Sequence, residues 1–528
     1  MLFNSYLFLF LFLPVTLTAH YLFSAISPRL AAVWLCITSL VFYGWWNPQF
    51  VMLLMGSIAF NYIVSLCILS SANRPRLQLG VTTFGVATNI ALLFHYKYFV
   101  TLVNFAGELG FGSGRMDDII LPLGISFFTF TQIGFLLDCR GGIVKERSLL
   151  SYVLFVTFFP HLIAGPILHH KEMMPQFAKR ETYRFRFENL SIGGMLFVIG
   201  LAKKVLLADP IAGYADAGFA QPGELQFWSA WGTGLAYALQ LYFDFSGYSD
   251  MALGLAKMFG IRFPLNFNSP YKASSIIDFW ARWHMTLTRY LTAYLYYPMA
   301  MMVSRFRSKH NLPVGIEGVS TLGGFFSTIV WPTAFTMGLA GIWHGAGLQY
   351  VIFGMLHAFY LSVNHAWRIY VIGRTPVAER TSNWFKKAGY VLLTFAMVII
   401  AQAFFRAENT QEAVHLVQGM LGVRGFDSLP LVQYPANVEW ADAWRLFIGR
   451  HLEVFHVLAL LFIVWCLPNS HQIMGTYSPA LYKPHPASLA FLRWQPTFKW
   501  LVIMALLLGG VLIQASHMTA DTRDNIDW

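Results

Sequence analysis

Gly338-Leu339-Ala340-Gly341-Ile342-Trp343-His344-Gly345-Ala346-Gly347 closes an apolar run, Leu322 to Ile342, that holds no charged residue. A second apolar run, Leu348 to Ala358, follows almost at once. Uncharged stretches of this kind, recurring along a chain, are read as membrane-spanning helices. His344 therefore stands at or near membrane depth, between glycines that let other backbone or a ligand approach closely. An imidazole titrates near neutrality and can take a proton from a hydroxyl, which makes His344 the candidate general base of a transfer reaction. The structural alternative is a histidine bonded to a neighbouring helix, a role that polar residues inside membranes also fill.

The rest of the composition agrees with a membrane setting. Of the 528 residues, 56% are hydrophobic and 12% are charged, and the mean hydropathy is +0.53. Soluble domains carry about 25% charged residues, twice this share. Apolar runs recur from about 5–23 through 228–258 and 275–302 to 499–516, with no internal repeat, so one all-α polytopic membrane domain over 1–528 is expected. Residues 406–454, of mixed polarity, form the expected extramembrane segment. Met1 to Phe23 lacks a basic n-region and a small-residue cleavage site and reads as a retained first span. The net charge of +11 lies in connecting loops, which suits anionic lipid headgroups and gives no reason to invoke nucleic acid.

Cys36, Cys67, Cys139 and Cys466 are far apart and form no metal-ligand pattern. His169-His170 could coordinate a metal, but Glu172 is the one acidic residue close to it in sequence, so a basic interfacial loop is the reading here and no metal is expected. Two basic loops, Arg140 to Arg147 and Lys171 to Arg186, flank the run 149–168. A single span between them would put both charges on opposite faces, against the positive-inside tendency. Pro160, Gly165 and Pro166 can turn the chain back, so 149–168 is expected to be re-entrant and to line a cavity.

Polar residues inside later runs supply further candidates. Gln240 and Asp244 fall on one helical face of the run 228–258, with Tyr248 beside it. Asp244 and Asp250 must each find a donor or line water. Asp278 and Arg282 are spaced to pair on a helix, and Trp283 and His284 follow. Taken alone, that segment reads as a surface-lying amphipathic helix. His357 and His365, next to aromatic residues, read as packed or interfacial.

In combination these stretches resemble the membrane-bound O-acyltransferase (MBOAT) family, and most closely its bacterial alginate O-acetylation (AlgI-like) branch. The motifs are Leu121-Pro-Leu-Gly-Ile-Ser-Phe, Phe159-Pro-His-Leu-Ile-Ala-Gly-Pro, Gln240-Leu-Tyr-Phe-Asp-Phe-Ser-Gly-Tyr-Ser-Asp-Met-Ala, Phe279-Trp-Ala-Arg-Trp-His, Gly341-Ile-Trp-His-Gly-Ala and Phe405-Arg-Ala-Glu-Asn. The stretch Arg289 to Pro298 departs from that branch's usual Arg-Asp and glycine-loop pattern, which bears on the alginate acceptor and leaves acyl transfer expected.

The resemblance implies a ring of transmembrane helices with re-entrant segments around a central funnel. It implies His344 and His284 as catalytic residues, with Gln240, Asp244, Tyr248, Arg282, Trp283 and Trp343 offered as substrate-binding residues around them. It implies no tightly bound cofactor, acetyl-CoA as acyl donor, a periplasmic acetyl-transferring partner, and O-acetylation of an exported polysaccharide at the bacterial inner membrane. The rival class is a multi-span transporter or flippase. Its paired or inverted halves are not visible in the sequence.

Overall fold

The computed structural model describes residues 1–109, 116–117, 119–372, 383–427, 440–481 and 486–521. Among the described residues there is no strand, and seven helices are long and apolar enough to cross a membrane: Phe8–Ile26, Gln49–Ser70, Pro75–Lys97, Phe187–Ala220, Leu322–His344, Trp384–Arg406 and Phe498–Ala515. The chain is thus an all-α polytopic membrane protein. Helices dominate because every backbone N–H and C=O at hydrocarbon depth must be paired within its own segment.

The chain forms two compact units that alternate along the sequence. The first comprises Met1–Ala202, Gly247–Asn266 and Ser470–Trp528; the second comprises Lys203–Ser246 and Phe267–Asn469. The long helix Phe227–Met258 passes from the second into the first.

In the first unit, close packing is achieved with small residues. A Cβ at Gly193 would overlap the carbonyl of Gly254, and one at Gly254 would meet the carbonyl of Gly193. Bare backbone there lets two helices touch, which is how apolar helices gain contact where lipid competes for every side chain. Polar clasps add direction: the amides of Asn61 and Asn89 bond each other reciprocally at 3.1 and 2.7 Å between the Gln49–Ser70 and Pro75–Lys97 helices. Asp250 finds its donor in His471, at 3.0 Å with both side chains buried.

The run 149–168 holds no helix long enough to cross a membrane. Its helix, Leu149–Thr157, has 9 residues, and at 1.5 Å per residue it spans about 14 Å, half the hydrocarbon thickness. It stops because Pro160 cannot continue it. Phe158 leaves the helical region (ψ 110°), and Pro160 sits early in a new short helix, Phe159–Leu162. The chain then returns so that His169 and His170, before the second basic loop, both meet Asp138, before the first. The two feet of the segment are adjacent, as a re-entrant path requires.

The run 275–302 is broken as well, which corrects the expected continuous amphipathic helix. Ile276–Trp280 and Met285–Leu291 are separate helices, and His284 between them has φ 42°. Trp280, Trp283 and His284 are buried, so the segment is packed inside the second unit and does not lie on a surface. Of the expected extramembrane segment, Thr410–Met420 is helical, and residues 428–439 lie outside the described residues.

Candidate active site

His344 is the last residue of the helix Trp331–His344, and the helix Leu348–Ala366 starts after a turn of three residues. The glycines quoted above have a packing reason. A Cβ at Gly341 would overlap the carbonyl of Tyr350, and one at Gly354 would overlap the carbonyl of Met337. The two helices therefore cross backbone to backbone, and this crossing sets where the His344 imidazole lies. Gly345 then ends the first helix in extended geometry (φ −171°). The His344 ring meets Phe405 edge-on at 4.9 Å and Phe353 at 6.1 Å.

His284 arrives from a different element. Its left-handed backbone is uncommon for a residue with a side chain, and such conformations persist where the surroundings over-determine them. Its ring stands edge-on to Phe245 at 4.8 Å.

Both rings line one cavity of the second unit, about 60 Å³ in volume, together with Trp280, Trp283, His357, Gln402 and Phe405. None of its thirteen lining residues is Asp, Glu, Lys or Arg. The walls are aromatic and aliphatic, and three imidazoles and one amide are the polar side chains able to accept a proton or hydrogen bond. A site of this kind excludes bulk water and strengthens every electrostatic interaction inside it.

Of the residues singled out in sequence, the structure brings His344, His284 and Trp283 to this cavity. Trp343 is beside His344, with ring centroids 4.6 Å apart, but is not a lining residue. The helix Phe227–Met258 presents Leu241 and Phe245 to the cavity, one position on from Gln240 and Asp244. Asp244 instead accepts from Lys204 Nζ at 2.6 Å, and the same ammonium reaches Asp209 at 2.9 Å. Arg282 pairs with Asp278 at 2.8 Å, as their spacing suggested, although Arg282 lies in the turn after the helix Ile276–Trp280. Tyr248 belongs to the first unit, stacked on Phe3 at 4.9 Å.

Two lining residues were missed. His357, read above as packed or interfacial, is packed against Phe353 at 4.7 Å and also lines the cavity. Trp280 Nε1–H donates to its Nδ1 at 3.2 Å, so the neutral ring carries its proton on Nε2. Gln402 is buried, donates from Nε2 to the Tyr271 hydroxyl at 3.3 Å, and leaves Oε1 without a partner. Its sequence signal was a lone amide in the uncharged run Val391 to Phe405.

A multi-span helical protein with imidazoles gathered in a small apolar cavity has the makings of a membrane-embedded group-transfer enzyme. The chain belongs to the membrane-bound O-acyltransferase family, whose pattern matches residues 119–312. It is 38% identical over 455 residues to a peptidoglycan O-acetyltransferase of Helicobacter pylori, covering 80% of each chain. It is 37% identical to a probable alginate O-acetylase AlgI of Pseudomonas aeruginosa, over 80% of this chain and 75% of that one. A more distant relative is a teichoic acid D-alanyltransferase of Bacillus subtilis, 29% identical over 46% of this chain and 58% of its own. The protein is an acyltransferase and not a transporter. Members of this family need no tightly bound cofactor.

Proposed function

We propose that this protein takes acetyl groups from a thioester donor, acetyl-CoA, and passes them through the bacterial inner membrane for O-acetylation of an exported cell-surface polysaccharide. The observation that carries the reading is the convergence of His344, His284 and His357 on one apolar cavity of about 60 Å³. A site needs roughly 10–15 Å³ of such volume to hold a water molecule, so this one has room for about four to six waters' worth of matter. That suits a two-carbon acyl group. Two of the relatives named above are named as O-acetylating enzymes of different acceptors, peptidoglycan and alginate, which supports acetyl as the group moved here.

In this mechanism His344 accepts the proton of the attacking hydroxyl as its oxygen bonds the thioester carbonyl carbon. Collapse of the tetrahedral adduct breaks the C–S bond, and the imidazolium returns the proton to the departing thiolate. His357, with its tautomer fixed by Trp280, is a hydrogen-bond donor and fits the developing oxyanion. His284 positions donor or acceptor. Gln402 Oε1 accepts a hydrogen bond from the bound substrate. The sequence contains no Gly-x-Ser-x-Gly elbow, so direct transfer is preferred to an acyl-serine route. A separate periplasmic protein would carry the acetyl group to the polysaccharide.

The test is incubation of the purified protein with acetyl-CoA labelled in the acetyl group. Release of free thiol with label passed to a hydroxyl acceptor or to water is expected. Palmitoyl-CoA should be a much poorer donor. Equal turnover of both donors would contradict the small-acyl reading.

A further inference from the structure

The re-entrant segment is closed at its feet by a cluster that the sequence did not show. Asp138, two residues before the end of the helix Ile125–Arg140, is buried. His169 is the N-cap of the helix His170–Ala178, and His170 is its first residue. His169 Nε2 lies 3.0 Å from Asp138 Oδ2, and His170 Nε2 lies 2.7 Å from the same oxygen. One ligand atom from each residue lies within 4.8 Å of the other two. The His170 ring is held edge-on against Phe135 at 5.4 Å and Phe155 at 6.5 Å, so its direction is set by packing. The His169 side chain is 26% exposed, against 5% for His170, leaving one side open to solvent.

We infer that Asp138, His169 and His170 form a binding site for a divalent transition metal, with zinc the best fit, that clamps the two feet of the re-entrant segment. Two imidazole nitrogens and one carboxylate oxygen suit zinc and its neighbours better than calcium or magnesium, which prefer oxygen ligands. A tetrahedral zinc with arms of about 2.0–2.1 Å sets its ligand atoms about 3.3 Å apart. The observed 2.7 and 3.0 Å separations therefore widen by a few tenths of an ångström when an ion enters. Water from the open side beside His169 completes the coordination.

Loading also moves the ring proton of His169 to Nδ1. That nitrogen now accepts from the Lys171 backbone N–H at 3.3 Å, a bond at the long end of the range, which the ion replaces. In the sequence, Glu172 is the one carboxylate close to the histidine pair, too few ligands to suggest a metal. Asp138, 32 residues before His170, removes that objection. The role assigned is structural: the ion joins chain segments on either side of the turn and takes no part in acyl transfer.

The experiment uses the full-length protein in detergent, purified without a polyhistidine tag, stripped with chelator, supplied with Zn²⁺ and desalted. Elemental analysis should find roughly one zinc per chain. His169→Ala, at the open edge of the cluster, and Asp138→Asn should each retain less than about a tenth of that. Zinc should raise the melting temperature of the stripped wild type and leave that of His169→Ala unmoved. Should Asp138→Asn fail to fold, His169→Ala alone decides. Zinc retention in His169→Ala equal to wild type, or no retention in wild type, would overturn the assignment.

Discussion

Two groups of histidines, one in each unit, are set differently. In the first unit, His169 and His170 face the carboxylate of Asp138, and His471 faces that of Asp250. In the second, His284, His344 and His357 line a cavity among aromatic rings, with no charged residue in its lining. A buried imidazole facing a carboxylate has its orientation fixed, which is what an anchor requires. An imidazole that lines a cavity faces the space a substrate would fill, which is what a reagent requires. The same side chain thus serves as anchor or as reagent according to its neighbours.

Four substitutions probe that contrast, beginning with the severest. Gly341→Leu forces a side chain into the Tyr350 carbonyl and separates the helices that place His344. Little folded protein should be recovered by size-exclusion chromatography in detergent, and a normal yield would show that the crossing is dispensable. Asp250→Ala leaves His471 buried without its carboxylate. It should cost on the order of 3 kcal/mol, seen as a lower melting temperature, while transfer per folded molecule stays near wild type. A specific loss of transfer would place this pair among the reagents.

His357→Phe keeps the aromatic packing and removes the Nε2–H donor. Its kcat should fall about a hundredfold with an unchanged melting temperature; a wild-type kcat would return His357 to a packing role. The smallest effect is at Asp427, whose carboxylate accepts from the backbone N–H groups of Trp228 and Ser229 at 2.7 and 2.9 Å, at the start of the helix Phe227–Met258. Partial burial pushes its pKa up, but the bonds from Ser229 and Trp228 outweigh this and hold it below the usual carboxylate range. The cap's contribution is therefore fully present above the ordinary Asp pKa and is lost as pH falls through the lowered one. Asp427→Ala should cost about 1 kcal/mol in thermal unfolding at neutral pH, with the difference shrinking in acid.

Much of the fold was legible because hydropathy is a property of consecutive residues. Long uncharged runs marked the spans, and Pro160 marked a run whose helices are too short to cross. His344 stood out because its glycines signalled a close helix crossing. The cavity's remaining walls were harder to see. His357 and Gln402 lie in separate helices, and only packing brings them to His344. Helical spacing put Gln240 and Asp244 on a shared face, but spacing does not say which face meets the cavity, and Leu241 and Phe245 occupy it. The carboxylate partners were illegible for the same reason. Lys204 for Asp244, His471 for Asp250 and Asp138 for the histidine pair are all distant in sequence.

The central claim is that His344 is the base of acetyl transfer, and the direct measurement is the single-turnover rate of thiol release from acetyl-CoA by wild type and His344→Ala at equal folded amounts. General-base assistance is worth about a hundred- to ten-thousand-fold, so His344→Ala should be slower by that factor. Its melting temperature should be nearly unchanged, because His344 is the last residue of its helix, beside glycines, and truncation there leaves a small void. A His344→Ala protein that is folded and releases thiol at the wild-type rate would contradict the account.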